Sequence, residues 1–503
     1  MWTSSSEQNL QPVSTMSREE AVVLYPTPAI GHLISMVELG KLIVSHRPSL
    51  SVHILLSSQA YSAGSTDAYI ASVFASFPSI SFHRLPVTSL PPDFSTPSPH
   101  HEALALELIC LNNPHVRHAL ISISERHRVL ALVIDFFCYV AFSVARDLSI
   151  PCYYYFTSSA GVLAFFIYFL TLHEKCSDES YSDPETLLEA PGIPPLPKKY
   201  MALPMQDRRD VVYSMFLQSA IEMRKSVGII VNTFEKLEPR ALRAILDGQC
   251  VPDGPTPPVY CIGPLISNKE PSNGTGNSSD DRDAPESLKW LDMQPKASVV
   301  FLCFGSLGVF SLEQLREIAV GLERSGQRFL WVVRNPPPDP SRPVATVVQA
   351  DPDLESLLPD GFLDQTRDRG LVVKSWVPQV AVLNHQATGG FVTHSGWNSV
   401  LEAVCAGVPM ISWPLYAEQG HNKVSLVEEL KIALPMDESD DGLVRAAEVE
   451  RRVRELMDSE EGNSMRERMA ILKDEAKAAM GPGGSSKAAL AKLIESWVGA
   501  QIG

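Results

Sequence analysis

The chain has 503 residues, with 42 Lys and Arg against 58 Asp and Glu, giving a formal net charge of −16. Its 45% hydrophobic and 20% charged residues exclude disorder over most of the length, and at roughly 150 residues per domain two large domains or three smaller ones fit. The acidic balance excludes a general nucleic-acid binder, which needs clustered Lys and Arg, but not one small phosphate-bearing ligand held by backbone N–H groups at a helix N-terminus.

In chain order, residues 1–16 form a polar tail without the apolar core of a signal peptide. Residues 21–25 read as a strand, followed by a Pro/Gly loop, Pro26-Thr-Pro-Ala-Ile-Gly-His32, and a helix over 32–46. His32 then lies near a helix N-terminus at the mouth of a sheet. A lone His is usually structural, yet a Gly-His pair in such a loop suits a general base, because imidazole takes up a proton reversibly near neutrality. Strands follow at 52–56 and 80–85, a helix at 101–128, and an apolar run at 129–137 interrupted only by Asp135. A buried carboxylate is costly unless paired, and the end of a neighbouring parallel strand could offer His32 as the partner. Strands at 151–156 and 227–234 flank a helix at 158–172, whose apolar stretch is shorter than the ~20 residues a membrane helix needs. The C-terminus carries no hydrophobic anchor, so no membrane span is expected.

From 266 to 285 the chain is almost devoid of apolar residues and reads as a flexible linker. Its two sequons, at Asn273 and Asn277, are chance matches without a secretory signal. Alternation restarts with a strand at 298–304, a capping-box pattern Ser311-Leu-Glu-Gln314 opening a helix that ends near Gly326, and a strand at 329–333. After a polar insertion at 335–359 come strands at 370–374, 390–393 and 408–413, with a helix from Asn398 and further amphipathic helices to the end. Short apolar runs alternating with longer amphipathic ones predict parallel α/β architecture: two Rossmann-like lobes, roughly 17–265 and 286–480, with a cleft between them. The eight cysteines are scattered, mostly in apolar runs and without a C-x-x-C pair, so buried thiols in a reducing, cytoplasmic compartment are expected, and no zinc site.

The segment from Trp376 to Gln419, WVPQVAVLNHQATGGFVTHSGWNSVLEAVCAGVPMISWPLYAEQ, carries the most chemistry. A strand runs into His394-Ser-Gly-Trp-Asn-Ser399, and a helix follows, whose N-terminus is a ready anion site. Gly396 permits close ligand approach, Asn398 and Ser399 add donors or a cap, His394 can donate to an anion, and Glu402 one turn on can accept from a ribose hydroxyl. That describes a nucleotide-diphosphate site; an ordinary capped helix is the plain alternative.

The same segment closely resembles, over its full length, the donor-binding signature of plant family-1 UDP-sugar glycosyltransferases. The resemblance implies that Trp376 stacks on uracil and Gln379 helps hold the nucleoside. His394, Asn398 and Ser399 would contact the diphosphate, Glu402 the ribose, and Trp397, Glu418 and Gln419 the sugar hydroxyls. Ser395 stands where these enzymes commonly carry Cys. Members also use a Gly-His after the first strand and an Asp as a dyad, roles carried to His32 and Asp135, with Asp135 orienting the imidazole and stabilising its charged form. Gly305-Ser306 could touch the phosphates, and Thr157 a sugar hydroxyl. Runs such as SMVELGKLIVSH, VPDGPTPPVYCIGPL and GLERSGQRFLWVVR are similar to plant enzymes acting on flavonoids and chalcones.

The resemblance therefore implies a GT-B type fold of two facing Rossmann-like lobes, with a final helix (481–503) crossing back to the first. It implies glucose transfer from UDP-glucose to a small phenolic hydroxyl in a first-lobe pocket near Phe136, Phe137 and Tyr139, with inversion. Gln419 and the aromatic at 397 favour glucose, since galactose use goes with His and glucuronate use with Arg at those places. Neither Asp281-Arg-Asp283 nor Asp351-Pro-Asp353 follows an apolar strand, so no metal and no cofactor are expected; helix N-terminus and His394 would offset the diphosphate charge. A monomer is expected. Attack through an aromatic ring carbon, or another UDP-sugar donor, is the runner-up. A nicotinamide oxidoreductase would need a G-x-G-x-x-G after a strand, which is missing, and a non-catalytic UDP-sugar binder would need an inoperative dyad.

Overall fold

The computed structural model describes residues 18–57, 67–90, 98, 100–178, 181, 183, 186–267, 285–337 and 351–499. The polar tail, most of the linker with its sequons and Asp281-Arg-Asp283, and part of the insertion at 335–359 lie outside the described residues.

The first lobe is built on β1 (Glu19–Tyr25), β2 (Ser51–Leu56), β3 (Ile80–Arg84), β4 (His127–Asp135) and β5 (Cys152–Phe156). A small antiparallel hairpin, β6 (Leu187–Leu188) with β7 (Leu196–Pro197), precedes β8 (Gly228–Val231) and β9 (Val259–Cys261). The second lobe has β10 (Val299–Cys303), β11 (Arg328–Val333), β12 (Gly370–Lys374), β13 (Thr388–Thr393), β14 (Met410–Ser412) and β15 (Ala433–Pro435). The sheet orders are β3-β2-β1-β4-β5-β8-β9 and β12-β11-β10-β13-β14-β15, parallel throughout. Each is a doubly wound, Rossmann-like sheet whose strand order reverses once, between β1 and β4 and between β10 and β13. Such reversals open a crevice at the carboxyl ends of the strands.

Both faces of each sheet are covered, so the strands are apolar on both sides. Val23 and Tyr25 enter one first-lobe core and Val22 and Leu24 the other; Val299 with Phe301 and Val300 with Leu302 divide likewise in the second lobe. The helix Ser485–Gly499 sends Leu490, Leu493, Ile494 and Trp497 into a first-lobe core, and Tyr153 OH lies 2.9 Å from Ser496 Oγ. All eight cysteines are free. Among the described residues no helix is long and apolar enough to cross a membrane.

Two sequence expectations need correction. The run at 129–137 does not continue as a strand beyond Asp135, because the Asp135 carboxylate accepts from Phe137 N and opens a single 3₁₀ turn, Phe136–Cys138. The capping box is only half formed. Ser311 accepts from Gln314 N, but the Gln314 side chain turns away to both backbone groups of Val444. Gly326 ends that helix at φ +69.

Away from the cleft, His53, His83 and His127 gather on the first lobe. His53 Nδ1 is 2.8 Å from His83 Nε2, and the His53 and His127 rings are 4.7 Å apart. Burial, then His83 and His127, push His53 down to about 4, and His83 is lowered too. A depressed folded-state value contributes stability that is complete above ~6.5 and is lost as pH falls from there toward 4. Urea unfolding at pH 7 and pH 5 should thus show a smaller loss on acidification in His53→Gln than in the parent; equal losses would contradict the assignment.

Candidate functional site

The first-lobe reversal brings a histidine and an aspartate together. The loop after β1 carries His32 into the first turn of the helix Ile30–His46, and β4 ends on Asp135. His32 Nδ1 lies 2.7 Å from Asp135 Oδ2, with the His32 side chain 25% exposed and Asp135 fully buried. Asp135 Oδ1 accepts from Thr27 Oγ1 at 2.8 Å and from Phe137 N at 3.2 Å. Every side of the carboxylate is thereby satisfied, which is what a buried charge requires. Thr157 Oγ1 is 3.1 Å from His32 Nδ1. Nδ1 is thus occupied, leaving Nε2 as the available base.

Burial alone would depress the imidazole, but the charge and hydrogen bond of Asp135, with Glu418 adding from the second lobe, raise it above its ordinary value. Phe137 and Phe136 wall the imidazole at ring separations of 5.7 and 6.2 Å. Tyr139 is not part of that wall; it is buried in the lobe core, its hydroxyl pushed up to about 12 by burial and by Cys110, Glu107 and Glu222.

The second-lobe reversal positions an anion cradle. Gly305-Ser306 follows β10, and His394-Ser395-Gly396 joins β13 to the helix Trp397–Ala406, whose N-cap is Gly396 with no side-chain cap. Its first N–H groups are therefore open to a ligand. Ser395, at φ +64, is fully buried, with Oγ 2.6 Å from Ser412 Oγ and its carbonyl accepting from Asn422 Nδ2 at 3.0 Å. Ser395 therefore faces inward.

His394 stands in a slot between two glycines. A Cβ on Gly305 would come within 2.6 Å of His394 Nε2, and one on Gly396 within 2.5 Å. Burial lowers the ring to about 4, so at neutral pH His394 offers an N–H dipole rather than the offsetting charge expected of it.

The remaining predicted residues line the same edge. Half-buried Trp376 follows β12. Gln379 Nε2 donates to Ser399 Oγ at 2.9 Å and to Glu402 Oε2 at 2.6 Å, tying two expected nucleoside contacts to an expected diphosphate contact. Asn398 points across the cleft: a Cβ on Gly31 would lie 4.0 Å from its Nδ2. Glu418 Oε1 accepts from Ser158 Oγ at 3.0 Å, and Ser159 Oγ donates to Asn422 Oδ1 at 3.2 Å, so the two lobes meet here.

Two side chains are arranged differently from the expectation of direct sugar contact. The Trp397 indole N–H donates to the Asn232 carbonyl of the first lobe at 2.7 Å, leaving its backbone N–H for a ligand. Gln419 Oε1 accepts from Leu415 N and Tyr416 N at 2.8 and 3.0 Å, and its side chain also hydrogen-bonds the Tyr416 hydroxyl.

Residues 264–466 match the family described as UDP-glucoronosyl and UDP-glucosyl transferase. UDP-glycosyltransferase 88B1 of Stevia rebaudiana is 49% identical to the chain over 476 residues, covering 95% of this chain and 98% of that protein. The chain belongs to the plant family-1 UDP-dependent glycosyltransferases. Anthocyanidin 5,3-O-glucosyltransferase of a Rosa hybrid cultivar is 48% identical, covering 95% of this chain and 99% of that one. Among solved structures, Phytolacca americana UGT2 complexed with UDP-2fluoro-glucose and pterostilbene matches with a TM-score of 0.81 and 41% identity, over 95% of this chain and all of that one.

The glycosyltransferase accordingly has the GT-B fold, two Rossmann-like sheets with the reversals of both opening on one cleft. Sequence reasoning missed Thr27, whose hydroxyl anchors Asp135. Its setting between Pro26 and Pro28 was the only available signal.

Proposed function

We propose that this glycosyltransferase transfers glucose from UDP-glucose to the hydroxyl of a small phenolic acceptor, with inversion and without a metal ion. The supporting observation is the His32–Asp135 pair at 2.7 Å, its imidazole walled by Phe136 and Phe137 and facing Glu418 and the open N-terminus of the helix Trp397–Ala406. Residues 17–265 serve the acceptor and 286–480 the donor.

The phenol gives its proton to His32 Nε2 as its oxygen attacks the anomeric carbon. The bond from that carbon to the UDP oxygen breaks on the opposite face, and UDP departs with the electron pair. Asp135 holds the imidazolium that forms. Positioned proton removal is worth typically ~10²–10⁴-fold, and donors preorganised around the leaving diphosphate add to it. Those donors are the first N–H groups of the helix Trp397–Ala406, Asn398, Ser399 and the His394 N–H; Trp376 and Gln379 would hold the uridine base side and Glu402 the ribose. Ser306, Thr157, Glu418 and Gln419 border the sugar and phosphates. The acceptor class rests on the aromatic wall, on a relative named for anthocyanidin and on a solved relative complexed with pterostilbene.

A panel of phenols with UDP-glucose should release UDP only when acceptor is present, give an acid-labile O-linked product, and be indifferent to EDTA. Faster turnover with UDP-glucuronate would refute the donor assignment. An acid-stable product would assign attack to a ring carbon instead.

A further inference from the structure

The donor cradle is short of positive charge. His394 is held neutral by burial, and the chain carries sixteen more acidic than basic residues. A nucleoside diphosphate nonetheless has to sit at the ends of β10 and β13. A cation that bonds directly to this loop is Arg334, the residue that follows β11, the strand next to β10.

The Arg334 guanidinium donates through Nη1 to the carbonyl of Ser306. It is part-buried, and the titratable groups it meets are Cys303 and Tyr416 rather than a carboxylate. Burial lowers it from its ordinary value. Tyr416 in turn is bonded to the backbone of Leu307 and lies 6.1 Å, ring to ring, from His394. Arg334 and Tyr416 thus hold successive residues of the loop 305–307, and that loop closes one side of the His394 slot. A buried guanidinium stays protonated.

We infer that Arg334 is a positioning residue of the donor site, fixing the Gly305–Ser306 loop over His394 and supplying the positive charge that recognises the diphosphate of the nucleotide. The inference rests on the proposed UDP-sugar reading and deepens it. A positive charge added beside a doubly anionic ligand in a partly dehydrated site should change its affinity by about tenfold or more.

The test is calorimetric binding of UDP and of uridine to the full chain, without acceptor. Arg334→Met should weaken UDP about tenfold or more and leave uridine unchanged. Arg334→Lys, which keeps the charge, should restore UDP binding to within about threefold. Should the Met variant not fold, Arg334→Gln keeps a donor for the Ser306 carbonyl and should show the same selective loss. Unchanged UDP affinity in the charge-free variants, or equal weakening of UDP and uridine, would overturn the inference. A parent protein that binds neither nucleotide better than the other would overturn the donor reading itself.

Discussion

Replacing His32 by Ala is expected to lower kcat by about 10²–10⁴-fold, the range for losing a positioned general base, while leaving the KM for the UDP-sugar nearly unchanged. His32 touches Asp135, Thr157 and the two phenylalanines; of these only Thr157 is assigned to the edge of the sugar, and none to the uridine or to the helix N-terminus that faces the diphosphate. Asp135→Asn should fall in the same direction and also move the pH profile. A base must be unprotonated to act, so kcat/KM should fall as pH drops through the His32 value, which Asp135 and Glu418 hold above 6.5. Without the carboxylate charge that limb should shift to lower pH. Near-parental turnover in both variants, or an acid limb that stays in place in Asp135→Asn, would remove the dyad from the mechanism.

The second large effect is expected at a glycine. Gly396→Ala places a methyl group 2.5 Å from His394 Nε2, in a site where Gly305 already approaches the same nitrogen closely. Gly305→Ala meets the same ring at 2.6 Å and adds the cost of a side chain at φ +71. Either change must displace the imidazole or the helix N-terminus from the phosphate position. Losing one preorganised donor costs about 10²–10³-fold, so a fall of that order in kcat/KM with raised KM for the UDP-sugar is expected. The proton-transfer limb of the pH profile should stay put, which separates this effect from damage to His32. Parental kinetics in Gly396→Ala would mean that the slot relaxes and that His394 is not held for the ligand.

Much of this was legible in the sequence because it is local. The strands β1, β10, β12 and β13 are short apolar runs bounded by turn residues, and the helix after His394 begins within a residue of where glycine and asparagine placed it. The resemblance of one 44-residue stretch then assigned roles to residues that the fold gathers at one edge. What stayed hidden depends on contacts between distant parts of the chain. Thr27 reaches Asp135 across 108 positions, Gln314 leaves its own helix for Val444 130 positions away, and the Trp397 indole crosses 165 positions to Asn232. No periodicity records such choices, since each is settled by which buried polar group most needs a partner. Three-residue strands such as β9 and β15 escaped for another reason, being too short to set up a pattern.

The helix Ser485–Gly499 has a consequence for how the enzyme is made. Its Leu490, Leu493, Ile494 and Trp497 complete a core whose other buried walls come from the first lobe, up to Ile262. Chains emerge from the ribosome N-terminus first, and domains tend to fold as units in that order. Here the lobe synthesised first lacks part of its apolar filling until the final helix has been translated, and meanwhile it exposes the surface which that helix will cover. A segment synthesised after the whole second lobe thus closes the first lobe to appear, and nascent chains stalled before residue 485 should depend on chaperones more than chains extended past 499.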